Sequence, residues 1–277
     1  MATDPNLTVP QGQITFDVEG NDDPNSIYFS RVAHWPGGVS GVTIGRGYDV
    51  GNRGSESTIV EEFTASGVDP TPWKPAIGLS GAEAESWMAS NKSSLPEITH
   101  GQQISLFNCT YQWMLDDVIR ISTKADVLEK YGATNFDTLN LAIKDIVVDL
   151  RYRGDYTSTS RNEVQPCMVE NDLNKFTSLM ADQNYWANVP SDRFNRRVEF
   201  LEAAGGSGST TQSSTGNSAA TSYQSGDTYV VQSGDSLSQL AQLFGCTTAA
   251  LEAANESKVQ TWGTVTGFNA GDTIVVP

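Results

Sequence analysis

Between Ala203 and Asp227 the chain has little to fold with. Gly205-Gly206-Ser207-Gly208-Ser209-Thr210-Thr211-Gln212-Ser213-Ser214-Thr215-Gly216 offers glycine, hydroxyl and amide groups and no large apolar side chain. Such a stretch cannot bury enough surface to offset the entropy of ordering its backbone. Residues 204–227 therefore read as a flexible linker with a root-mean-square span of about 25–30 Å. Whatever folds must do so on one side of it or the other, as a large part, 1–203, and a small part, 228–277. Joined in this way, the two parts work semi-independently at raised effective concentration.

The small part opens with Thr228-Tyr229-Val230-Val231-Gln232, a strand by its β-branched and aromatic content. Ser233-Gly234-Asp235 is a turn. Ser236 caps an amphipathic helix through Leu237, Leu240 and Leu243 that stops at Gly245. A second helix runs from Thr247 to Asn255 with Leu251 inward, and Thr273-Ile274-Val275-Val276 closes as a strand. Tyr-x-Val-x-x-Gly-Asp-Ser-Leu from Tyr229, Phe244-Gly245, Leu251-x-x-x-Asn255 and the terminal Gly271-Asp272-x-Ile274-x-Val276-Pro277 together resemble the LysM module. That resemblance implies a βααβ fold and binding of N-acetylglucosamine in peptidoglycan or chitin. It implies a shallow groove with Gly234, Asp235, Ser236 and Leu237 on one side and Asn255, Glu256 and Ser257 on the other. The insert through Trp262 and Gly263 is longer than the module usually carries.

In the large part the informative stretch is Gly41-Val42-Thr43-Ile44-Gly45-Arg46-Gly47-Tyr48-Asp49-Val50-Gly51, four glycines in eleven residues. Alternation with β-branched residues reads as a strand, and glycines within a strand mark close approach of a ligand or another backbone. Upstream, Gln13-Ile14-Thr15-Phe16-Asp17-Val18-Glu19-Gly20 reads as a short helix ending at Gly20. An acid at a helix end, a hydroxyl and a second acid on a ribbon are the groups that acetal hydrolysis needs. The same three residues also fit a plain description: a solvated Glu19, a strand Thr43 and a turn Asp49.

Glu19-Gly20 followed by Gly41-Val42-Thr43-Ile44-Gly45-Arg46-Gly47-Tyr48-Asp49 resembles the catalytic signature of phage-type lysozymes, and more closely its pesticin branch. In the phage enzymes the catalytic Asp precedes the Thr by six residues, a position held here by Gly37. In the pesticin branch it follows by six, which is Asp49. Arg193-Phe194-Asn195-Arg196-Arg197-Val198-Glu199 is similar to the family's Arg-rich C-terminal helix. The resemblance implies a muramidase with Glu19 as general acid, Asp49 positioning or activating water or stabilising charge, and Thr43 holding that water. Asp22 and Asp23 are rivals for the second carboxylate by nearness alone.

From Ser55 to Glu202 the pattern is helical. Ser57, Ser80 and Thr99 stand at helix starts with Glu or Gln three or four residues on, the form of a capping box. Ile104 to Leu115 is apolar on most sides and Leu141 to Leu150 nearly so, as buried central helices are. Asp145 and Asp149 read as solvent-facing or paired within their helix. Ser26–Val32 is a further candidate strand. The predicted architecture is α+β: a mainly helical lysozyme-like domain with a small N-terminal β-hairpin, then the small LysM domain.

The net charge of −16 and a pI of about 4.4 argue against a nucleic-acid partner, which calls for Lys/Arg surfaces. No stretch approaches the roughly 20 apolar residues of a membrane span. His34 and His100 are the only histidines, and Cys109, Cys167 and Cys246 have no zinc or disulfide spacing, so neither metal nor cofactor is expected. The polar start, Met1 to Gln11, has no Sec-type pattern. The expectation is synthesis in the cytoplasm and action at the wall or periplasm after non-classical delivery. Peptidoglycan strands are the predicted partner, with an immunity protein or secretion machinery as further ones. The function read from the sequence is hydrolysis of the β-1,4 bond between N-acetylmuramic acid and N-acetylglucosamine, as an antibacterial effector or endolysin. The alternative is a non-catalytic peptidoglycan- or chitin-binding protein.

Overall fold

The structure, a computed structural model, describes residues 7–206, 224–231, 237, 240, 241, 244, 246–262, 265–268 and 272–277. The chain forms two compact units, one of Met1–Tyr111 with Tyr223–Pro277 and one of Gln112–Ser222. Most of the predicted linker lies outside the described residues.

In the first unit α1 (Gln13–Val18) leads through a looped segment to a two-stranded antiparallel hairpin, β1 (Thr43–Ile44) and β2 (Tyr48–Asp49). The predicted strand at 26–32 is instead a run of turns with a single β-bridge, Asn21 with Phe29. Asn21 and Asp23 bond to neighbours within this loop, and these Asx contacts compete with a strand ladder. α2 (Glu56–Ala65), a 3₁₀ turn at Thr71–Ala76 and α3 (Gly81–Asn91) follow. The hairpin's inner residues Val42, Ile44, Tyr48 and Val50 pack with Ile59, Phe63, Trp73, Met88 and Leu106 into one core, and all four inner residues are fully buried. Each such side chain contributes about 1.5–3 kcal/mol by leaving water.

α4 (His100–Ser122) begins with a reciprocal capping box: Gln102 N–H donates to Thr99 Oγ1 at 3.2 Å and Thr99 N–H to Gln102 Oε1 at 2.8 Å. At α2 the cap is Ser55 rather than Ser57, its hydroxyl accepting from Thr58 N–H. Ser80 precedes α3 without a side-chain cap bond and forms a β-bridge with Gly41. α4 is buried all round only at Gln103–Phe107; beyond Tyr111 it is one-sided, with Trp113 exposed.

The second unit holds the rest of α4 and α5 (Ala125–Tyr131), α6 (Leu141–Arg153), α7 (Arg161–Glu170), α8 (Leu173–Met180) and α9 (Ser191–Ala203). α6 is the central helix, as its pattern predicts, but Asp145 and Asp149 are buried within it rather than solvent-facing. Asp149, 0% exposed, accepts Arg193 Nη2 at 2.5 Å and Arg197 Nε at 2.7 Å from α9, and Arg197 also reaches Asp155 at 3.0 Å. Burial alone pushes the Asp149 carboxyl up. The hydrogen bond and charge of Arg193 and of Arg197 outweigh it and hold the group below the usual carboxylate range.

In the C-terminal segment β3 (Thr228–Val230) pairs antiparallel with β6 (Thr273–Val275). α10 (Thr248–Ala254) starts at Thr247, whose hydroxyl accepts from Ala250 N–H. The insert folds as an extra hairpin, β4 (Gln260–Trp262) with β5 (Val265–Gly267), which the βααβ pattern does not contain.

Candidate functional site: the hairpin and the helix end

Two left-handed glycines, Gly45 at φ 64° and Gly47 at φ 88°, make the tight turn between β1 and β2 and turn Arg46 into the protein. Its guanidinium Nη1 donates to the carbonyls of Phe16 and Gly20, both at 2.6 Å, and Nη2 donates to Asp22 Oδ2 at 2.8 Å. The guanidinium carbon also stands 4.2 Å from the centre of the Phe16 ring. The two carbonyls flank Glu19, the C-cap residue of α1. The Phe16 carbonyl is among the acceptors that a helix end leaves without an intrahelical donor, and Gly20 follows the cap, so one side chain of the hairpin turn ties down the end of the helix that carries the acid. Burial pulls the Arg46 guanidinium below its usual range; the bond and charge of Asp22, then the charges of Asp17 and Glu19, act against that pull.

Asp22, 7% exposed, is the anchor of this joint and not an open carboxylate. Besides Arg46 it meets Arg31 Nε at 3.1 Å, Gln103 Nε2 at 3.2 Å and His100 Nε2 at 3.3 Å. Asp23 is exposed and closes a local turn onto Asn25 N–H at 2.9 Å. Neither rival carboxylate has the setting of a water-activating base.

Thr43 and Asp49 are direct partners in the hairpin, and His34 bridges Thr43 from the other side. Residues opposite one another share a face, so His34, Thr43 and Asp49 line one side while Ile44 and Tyr48 enter the core. Both outer groups are engaged. Thr43 Oγ1 donates to the Gly41 carbonyl at 3.3 Å. Asp49 Oδ1 accepts from Gly51 N–H at 2.9 Å and Asn52 N–H at 3.0 Å. Its Oδ2 accepts from Gly41 N–H at 3.0 Å and the Asn52 amide at 2.9 Å. Burial lowers the His34 pKa, outweighing a backbone bond at Val32 that raises it, with Lys92 adding to the fall. Tyr48 OH donates to Glu62 Oε2 at 2.5 Å, and burial with that bond pushes its pKa far up. Arg53 grips the same carboxylate, with Nη2 at 2.6 Å from Oε1, and fastens α2 to the hairpin.

Of the predicted LysM groove, Gly234, Asp235 and Ser236 lie outside the described residues. Leu237 is in the module's core with Val231, Leu240, Leu251 and Ile274. The Asn255 side chain is buried and fully used: Nδ2 donates to the carbonyls of Leu251 at 2.9 Å and Val275 at 2.8 Å, and Oδ1 accepts from Val275 N–H at 2.7 Å. The groove contacts expected at these two positions are corrected to a core residue and a strand tie. Glu256 and Ser257 are exposed. Among the described residues no group of three or more His, Cys, Asp or Glu side chains is arranged to hold a metal ion.

Residues 12–198 match the profile of a domain of unknown function, DUF8812. The chain belongs to that family. Residues 229–277 match the LysM domain, a peptidoglycan- or chitin-binding module. No curated protein matches the chain. The DUF8812 match begins at Gly12, takes in Glu19 and the hairpin, and ends at Val198 within α9, one residue beyond Arg197. Sequence reading missed the Arg46–Asp22 joint. Its one signal was an arginine set between two glycines on the same parity as the apolar Val42 and Ile44.

Proposed function

We propose that this protein is a wall-bound muramidase: the DUF8812 domain hydrolyses the β-1,4 bond between N-acetylmuramic acid and N-acetylglucosamine, and the LysM domain holds it on the glycan. The observation that carries this reading is the Arg46 joint, which brings the Glu19 helix end to the hairpin where Thr43 and Asp49 share a face. In this mechanism Glu19 protonates the glycosidic oxygen as the bond to the anomeric carbon breaks. Asp49 faces the developing positive charge, and Thr43 with Asp49 orients the water that adds to that carbon. Glu19 gives its proton to the leaving sugar's oxygen; the water loses its proton to the Asp49 carboxylate as its oxygen bonds to the anomeric carbon, and exchange with solvent returns both carboxyls to their starting states. The place of action in this reading is the cell wall. No helix among the described residues is long and apolar enough to cross a membrane.

The test is release of reducing ends from purified peptidoglycan, with loss of turbidity as a second readout. Wild type is expected to release them. Glu19→Gln is expected to lose this activity with its melting transition unchanged. A second reading, a glycan-binding protein without catalysis, is favoured by one observation: both oxygens of Asp49 and the Thr43 hydroxyl already have partners. Absence of reducing ends with wild-type protein, alongside retained sedimentation with peptidoglycan, establishes that second reading.

A further inference from the structure

Beside the hairpin, α3 borders an open groove of about 570 Å³. Leu79 and Trp87 form its apolar part. Glu83, Ser86 and Asn91 stand around them. Trp87 is half-buried: part of the indole rests on the hairpin's core and part lines the groove. Among the described residues, the Trp87 indole N–H, the Ser86 hydroxyl and the Glu83 carboxylate have no hydrogen-bond partner. Asn91 spends its amide N–H on the Trp87 carbonyl at 2.8 Å and keeps its oxygen open. An exposed aromatic surface with one donor, one hydroxyl and two acceptors around it suits a neutral, many-hydroxyl ligand with an apolar ring face. A carboxylate in the groove and the chain's net charge of −16 disfavour an anion.

The groove is continuous with the hairpin. Gly81 N–H donates to the Ser40 carbonyl at 3.0 Å, and Gly41 bridges Ser80. The Leu79 carbonyl lies so near Gly51 that no side chain fits at that position. Gly41 and Gly51 are also the residues whose N–H groups hold Asp49.

We infer that the α3 groove is a second saccharide-binding site of this chain, taking an N-acetylated pyranose of a β-1,4-linked glycan strand. The Trp87 indole stacks on the sugar's C–H face, Glu83 accepts from its hydroxyls, and the indole N–H donates to an oxygen of the sugar or its acetamide. This inference rests on the glycan-binding half of the proposed function and not on catalysis.

The probe is the N-acetylglucosamine tetramer, titrated into the full chain carrying Glu19→Gln so that no cleavage occurs. The readout is the indole N–H resonance of Trp87, assigned by its disappearance in Trp87→Phe. The resonance is expected to shift with a saturating dependence on tetrasaccharide. Glu83→Gln, an exposed change that spares the fold, is expected to weaken that dependence about tenfold. A Trp87 resonance that stays fixed at concentrations saturating the LysM domain overturns the site. One that moves only with the sugar-free stem dipeptide, and not with the tetrasaccharide, overturns the sugar assignment in favour of a stem-peptide contact. Because activity is scored separately on peptidoglycan, a silent groove with reducing ends released leaves the catalytic reading standing. A responsive groove with none released does the reverse.

Discussion

Replacing Arg46 with Met keeps an unbranched apolar side chain and removes the guanidinium, together with its contact on the Phe16 ring. Three hydrogen bonds go with it, those to Phe16 O, Gly20 O and Asp22. Each carbonyl left buried without a donor costs about 1–3 kcal/mol. Asp22 keeps Arg31, His100 and Gln103, so its charge is weakened in support but not stripped. The expected loss is about 3–5 kcal/mol, the scale of breaking a buried pair from one side. At about 2–4 °C per kcal/mol for a domain of this size, the melting midpoint falls by about 6–20 °C. Calorimetry on Arg46→Met, Asp22→Asn and the double variant measures it, with a coupling of about 1 kcal/mol or more expected between the two positions. Release of reducing ends, measured well below the lowered midpoint, is expected to fall as well, because the Glu19 helix end is no longer fixed to the hairpin. An Arg46→Met chain that melts within about 1 °C of wild type, or lyses walls at the full rate, refutes the claim that this guanidinium joins the two.

Arg197→Met in the second unit removes one of the two arginines on buried Asp149, and urea unfolding is expected to show a loss of about 3–5 kcal/mol. Asn255→Ala removes three buried hydrogen bonds and is expected to unfold the LysM domain by about 2–4 kcal/mol, read as lost sedimentation with peptidoglycan that returns on cooling. The folded-state pKa of Asp149 is held down, so its contribution is fully present above the unfolded carboxylate value near 4 and is lost as pH falls through the lower folded value. His34 also has a lowered folded pKa, so below about pH 6.5 the unfolded chain takes a proton that the folded one refuses, and stability drops on acidification. His34→Gln is expected to flatten the urea midpoint in the window just below pH 6.5 and to leave the steeper loss below pH 4 in place.

Local chemistry made much of this fold legible. The Thr99–Gln102 box, the stop of α1 before Gly20, the alternation around Ile44 and the central place of α6 follow from capping, glycine and periodicity. What sequence could not show were interactions set by tertiary geometry. Asp149 reads as solvent-facing because nothing near it in sequence announces two arginines arriving from 44 and 48 positions away. Ser80 reads as a capping side chain, yet it makes no side-chain cap bond and instead stands in a β-bridge with Gly41, 39 positions away. Asn255 reads as a groove residue because its spacing matches a motif, while its amide in fact ties Leu251 to Val275. The extra hairpin is hidden because its strands are only three residues each. At the candidate site, the parity of Thr43 and Asp49 was readable; the partner that links them to Glu19 sits 26 residues from Gly20.

Three of the four donors on Asp49 are peptide N–H groups, fixed by the backbone; the fourth is the side-chain amide of exposed Asn52. That amide works as a removable stopper. Swinging it outward gives up its bonds to Asp49 Oδ2 and to the Val39 carbonyl and frees one lone pair on Oδ2, while the three peptide donors keep the carboxylate aimed. An arriving sugar hydroxyl or water then takes a seat that the side chain of Asn52 fills in the resting protein.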